Sequence, residues 1–307
     1  MRFDEAPKTE RPRGGGRPPD STATALRVAL ISFRADIFSA LNSGCTQSGH
    51  LPALYLTGRS GRPGTPSYPH LGDKLEAILG DIPGELDLLL PGNTAGLARA
   101  LRGYDIDLAV VCGLSWRLPR TVLDAPRLGI LNVHTSLLPR YRGPAPVQWA
   151  IRNGDPHIGV TVHWMDDRID SGNIVAQHRG IALPEFVTFE DLWQHVTPVI
   201  RDVLAVALVR VSAGYGGEPQ NEDHATLAGL MEPEFGHLDW TQPARRIHNQ
   251  VRTFYYGAGI PGPFGKVGGD WLRVLRTSLA PVAEGIRIDC ADDPIWLVET
   301  EPARPPS

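Results

Sequence analysis

The sequence predicts an α/β fold: a mostly parallel sheet with helices on both faces, followed by a small, mostly-β second unit. Three observations predict it. Short apolar runs alternate with helical spacing between residues 26 and 214. A polar, Gly-rich stretch, YGGEPQNEDHATLAG, breaks the pattern at 215–229. Beyond it, one amphipathic helix precedes several short strand-like pieces. Near-continuous apolar strands alternating with helices are what a sheet covered on both faces requires.

The elements read in order. LRVALIS, residues 26–32, is a first strand, and helical spacing follows near residues 37–41. PALYLTG, LDLLLPG and DLAVVCGL are further strands bounded by glycine, proline or charge. AGLARALRGYD lies between two of them with helical spacing. LNVH is a strand within residues 129–134, and GVTVHWM alternates as a second. Trp149 and Ile151 read as core positions of a helix. A long apolar-periodic helix spans roughly 188–214. In the second unit a helix covers 241–254, with Thr241 as N-cap and Pro243 in the first turn. Ile247, Val251 and Phe254 share its apolar face. DWLRVLRTS, GIRIDC and PIWLVET read as strands. The expected division is an extension over 1–25, a main domain over 26–214, a linker over 215–229 and a small domain over 230–301.

Composition narrows the function. The 307 residues are 42% hydrophobic and 21% charged, which suits a globular domain and not a disordered or coiled-coil chain. Residues 1–25 carry four prolines, a triple glycine and no apolar core segment, so they read as a disordered extension and not a secretory signal. No run of about 18 apolar residues predicts a membrane span. Cys45, Cys112 and Cys290 are far apart and odd in number, which suits a reducing cytoplasm and no disulfide framework. Net charge is −4. Residues 216–307 hold 8 Lys and Arg against 13 Asp and Glu, so the second unit is the acidic one. There is no GxGxxG after the first strand, no GxxxxGK[ST], no GxSxG and no HExxH.

The chemistry concentrates in residues 129–174. Strand alternation puts Asn132 and His134 on one side and Leu131 and Val133 on the other. SLLPRYRGP then ends the strand in a punctuated loop, the place where open α/β sheets bind ligands. Asp170 stands in a second turn-rich loop, DDRIDSG. An amide donor, an imidazole and a carboxylate suit transfer of an acyl-like group to an amine, where an oxyanion needs stabilising and a proton must leave. Each also has a structural reading. An Asn-x-His pair is commonly a strand hydrogen bond, Asp170 a turn-former, and Arg140 and Arg142 solvated charges. His134, His157, His163 and Asp170 match no zinc spacing, so no metal is expected.

NVHTSLLPRYRG with IDSGNI, the Asp 36 residues after the His, resembles the 10-formyltetrahydrofolate-dependent formyltransferases. The similarity runs from about residue 26 to 211. DWTQPARRIHNQVR extends it weakly into the second unit. The resemblance implies a Rossmann-like sheet with a small OB-like domain, and 10-formyltetrahydrofolate as co-substrate without a metal. It implies that Asn132 holds the formyl oxygen, that His134 stabilises the oxyanion, and that Asp170 accepts the amine proton and positions the histidine. It implies folate contacts at Trp116, Arg117, Leu118, Met165, Asp166, Asp167 and Arg168, and an acceptor-side loop with Ser136, Arg140, Arg142 and Gly143.

The acceptor is read from departures. The second unit is acidic, and SFRADIFSAL after the first strand lacks the GTPxF-like turn of the tRNA enzymes. GLSWRLP and YRGPAPVQWAIRNGD look closer to the sugar and natural-product relatives. The expectation is a small amine acceptor, an amino sugar or an amino-acid or hydroxylamine precursor. Methionyl initiator tRNA is the alternative, 10-formyltetrahydrofolate hydrolysis the second, and a non-catalytic binding protein the third.

Overall fold

The computed structural model describes residues 25–63 and 65–304. The extension expected over 1–25 lies, but for Ala25, outside the described residues. Among these residues seven strands form the main sheet in the order β3-β2-β1-β4-β5-β6-β7. They are β1 (Arg27–Ile31), β2 (Leu51–Leu56), β3 (Leu88–Leu89), β4 (Leu108–Val111), β5 (Ile130–His134), β6 (His157–Trp164) and β7 (Ile174–Ala182). The first five pair in parallel, whereas β6 pairs antiparallel with β5 and with β7. The sheet is therefore mostly parallel, with an antiparallel edge.

Among the described residues six helices cover it: α1 (Ala35–Gln47), α2 (Leu71–Asp81), α3 (Thr94–Gly103), α4 (Arg120–Leu123), α5 (Pro146–Arg152) and α6 (Phe189–Ser212). The two faces carry separate cores. Leu30, Phe38, Leu131, Val133, Val160 and Leu204 belong to one, and Ile31, Leu97, Leu101, Val111 and Ile130 to the other. Each such fully buried side chain contributes about 1.5–3 kcal/mol relative to exposure. The long helix α6 begins where Thr188 accepts the Asp191 N–H at 3.1 Å. It is long and apolar enough to cross a membrane by composition. Its apolar stripe, including Leu192, Val196, Ile200 and Leu208, is buried in the first of these cores. Helix α2 buries only Ile78, which is why its pattern does not announce it. The LDLLLPG run shortens to the two residues of β3.

The second unit is OB-like. Its antiparallel sheet runs β10-β11-β9-β8, with β8 (Phe264–Val267), β9 (Asp270–Ser278), β10 (Ile286–Asp289) and β11 (Pro294–Pro302). Helix α7 (Ala244–Tyr256) packs against β9 and against α5 of the main sheet. Ile247 and Val251 are buried, and Phe254 stacks on Phe235. The N-cap is not Thr241, whose hydroxyl instead donates to Asp239 at 2.6 Å. Pro243 holds the cap position, and Asp292 accepts the Ala244 N–H at 2.8 Å. An acid 48 residues away has taken the capping role. His248 is fully buried at this junction, with Nδ1 2.8 Å from the Thr277 hydroxyl and Glu185 3.0 Å from Nε2.

Candidate active site

Strand β5 carries Asn132 and His134, and β6 runs antiparallel beside it with His163 directly opposite Asn132. Directly paired residues in antiparallel strands share a face, so His163 joins the pair. Asp170 comes from the β6–β7 loop, at a left-handed φ of 48°. The Asn132 amide donates to Asp170 Oδ1 at 3.2 Å and reaches His163 Nε2 at 3.2 Å. His134 Nδ1 stands 3.6 Å from Asp170 Oδ2, and His163 Nε2 3.6 Å from Oδ1. The three residues singled out in the sequence therefore meet, with a fourth beside them.

Backbone carbonyls assign the ring protons. His134 Nε2 lies 2.7 Å from the Tyr141 carbonyl, and His163 Nδ1 2.8 Å from that of Trp164. A carbonyl only accepts, so those nitrogens carry hydrogen and His134 Nδ1 faces the carboxylate. Burial holds His134 below the ordinary imidazole value, against the opposing pull of Asp170 and of the Tyr141 carbonyl. Burial pushes the Asp170 carboxyl up. The His163 and His134 imidazoles beside it and the Gly143 N–H outweigh it and hold it at about 2. At neutral pH the site is an ionised carboxylate beside a neutral imidazole.

His134 and His248 have folded values lowered from 6.5, chiefly by burial, so the unfolded chain takes up protons first as pH falls. Asp170, lowered from 3.8, gives stability that is present above 3.8 and lost as pH falls towards 2. The expected Tm is level above about pH 7 and declines from about pH 6.5 downward. A Tm unchanged down to about pH 5 contradicts this.

The segment 215–229 crosses this site. Gln220 donates to the carbonyls of Asp170 and Gly172, each at 2.8 Å. Arg142 is buried and donates to Gln220 at 2.8 and 3.0 Å and to Glu222 at 2.9 and 3.2 Å. Arg142 thus anchors the segment and is not free for an acceptor. Arg140 pairs with Asp155 at 3.0 Å, and Ser136 donates to the Arg140 carbonyl at 2.7 Å. Gly143 donates its N–H to Asp170 Oδ2 at 2.8 Å. At its φ of 119°, a Cβ would stand 2.7 Å from the Ala228 carbonyl oxygen. Gly143→Ala is expected to cost about 1–3 kcal/mol and to move that N–H off Asp170. Thermal melts check this, and an unchanged Tm contradicts it. Gly172 is equally constrained, since a Cβ there collides with the Trp164 carbonyl.

The two loops proposed for folate also meet. Arg117 reaches the Asp167 carbonyl at 3.4 Å, and Arg120 the Asp167 carboxylate at 3.7 Å. Trp116 and Leu118 are buried, and Met165 packs in their cluster. The Trp116 indole N–H is donated to the Ser60 carbonyl at 2.9 Å, so that side chain serves as wall. Asp166 accepts the Ser171 hydroxyl and the Arg168 N–H, each at 2.9 Å, fixing the turn before Asp170. Among the described residues no group of three His, Cys, Asp or Glu side chains is arranged so that it could hold a metal ion.

The Formyl transferase family matches residues 93–207, and the Formyl transferase, C-terminal domain, matches 230–305. The chain is 38% identical over 180 residues to the methionyl-tRNA formyltransferase of Synechococcus sp., covering 58% of this chain and 54% of that one. It is 36% identical over 213 residues to that of Methylobacterium nodulans, covering 66% of this chain and 68% of the relative. The matched stretches thus span from about half to about two thirds of these relatives. The fold is like that of the N-formyltransferase from Helicobacter canadensis, solved with folinic acid and dTDP-3-aminofucose. The TM-score is 0.64 at 14% identity, over 90% of this chain and 100% of that one. With both family regions matched in order and the Asn132, His134 and Asp170 side chains gathered at one point, the chain belongs to the formyl transferase family.

Proposed function

We propose that the protein transfers a formyl group from 10-formyltetrahydrofolate to the primary amine of a small acceptor. The observation that carries this is the convergence of Asn132, His134 and Asp170, with Asp170 in the same loop as the folate positions 165–168 that the resemblance implies. The amine nitrogen attacks the formyl carbon, and the carbonyl electron pair moves to oxygen. An Asn132 N–H turns from its long contact to hold that oxygen. A carboxylate at about 2 is a weak base, so the proton leaves only once the nitrogen is bonded and cationic. It passes to Asp170, with His134 Nδ1 beside it. Collapse expels the folate N10, which takes up a proton.

Two features favour an amino sugar or an amino-acid or hydroxylamine precursor as acceptor. Residues 216–307 are acidic, and both arginines of the acceptor-side loop are held by Asp155 and Glu222. The second reading is methionyl initiator tRNA, favoured by the 34–40% identity to enzymes of that name. Tetrahydrofolate release with each acceptor separates them. A small amine is expected to drive release at a rate insensitive to salt. Release that needs the tRNA and falls steeply with salt assigns the second reading.

A further inference from the structure

One cavity among the described residues lies apart from Asn132, His134 and Asp170. It lies against residues 136–141 and encloses about 520 Å³, a size that admits a small organic molecule. Leu137, Leu138, Pro139 and Ile158 give it an apolar wall. Arg179 from β7, His157 from the start of β6 and His224 from the crossing segment bring three donors from three elements. Of the two acids in its lining, Asp155 is already held by Arg140 and by the Tyr141 hydroxyl at 2.9 Å, and Asp223 is exposed. Arg179 is exposed and makes no ion pair among the described residues.

We propose that this cavity binds a phosphate monoester with a compact apolar body. Arg179 takes the phosphate through its planar fork, and His157 and His224 supply further N–H donors. Three donors suit a group with three outer oxygens better than a carboxylate with two. The apolar wall takes the ester's body. Tyr141 connects the cavity to the active site, because it lines the one and its carbonyl accepts the His134 proton in the other. The phosphate arrives on a free small molecule or on the far end of the formyl acceptor. Only the second case rests on the function proposed above, since binding itself needs no turnover.

The test is calorimetric titration of the full chain with phenyl phosphate, with inorganic phosphate as competitor. Saturable binding that inorganic phosphate displaces is expected. Arg179→Glu is expected to weaken it at least about tenfold, and His224→Ala to weaken it less. Arg179 is exposed, so an unchanged Tm of the variant shows that it folds. No saturable binding, or equal binding by Arg179→Glu, overturns the proposal. A kinetic arm identifies the carrier. Phenyl phosphate that raises only the acceptor's KM assigns the phosphate to the acceptor, and a changed kcat at fixed KM assigns it to a free effector. Both outcomes support the site.

Discussion

Asp170→Asn is expected to lower kcat by about 10²–10⁴ without unfolding the protein. The substitution keeps the shape and one acceptor for the Gly143 N–H, but removes the charge beside His134 and the place for the amine proton. KM for the folate is expected to change little, because Asp170 acts after binding. Steady-state rates, with a melt to show folding, check this. Unchanged turnover removes Asp170 from the chemistry. The held value of about 2 adds a condition: loss of wild-type activity between about pH 7 and 5 must come from protonation elsewhere, the acceptor amine first.

Asn132→Ala is expected to lower kcat by about 10²–10³, the usual cost of one oxyanion donor. The neutral His134 gives its hydrogen to the Tyr141 carbonyl, so Asn132 is the donor available without prior protonation. Because Asn132 and Asp170 touch, the double variant is expected to lose less than the product of the two effects. Multiplicative losses contradict a shared step. A small loss in Asn132→Ala alone assigns the oxyanion to another group.

Local pattern carried the elements whose burial is local. Strands β1, β4 and β5 are buried on both faces and read as apolar runs. Asn132 and His134 were legible because alternation of side chains is a property of one strand. In the sequence His163 reads only as a metal-ligand candidate. Its place opposite Asn132 depends on the β5–β6 register, which no single strand encodes. Gln220 and Glu222 sit in a stretch whose composition reads as linker, yet they clamp Arg142 and the backbone of Asp170. Arg142 read as a solvated charge for the same reason: its partners lie about 80 residues on. Thr241 is not the cap because Asp292, in the turn between β10 and β11, reaches the helix end instead. In each case the decisive partner is distant in sequence.

The most direct measurement follows a ¹³C-labelled formyl carbon of 10-formyltetrahydrofolate by NMR, with the full chain and a primary amine present. The predicted result is movement of the label into a formamide of the acceptor, with stoichiometric tetrahydrofolate and a loss of the signal in Asp170→Asn. Label appearing as free formate, at the same rate with and without amine, contradicts formyl transfer and makes water the acceptor at this site.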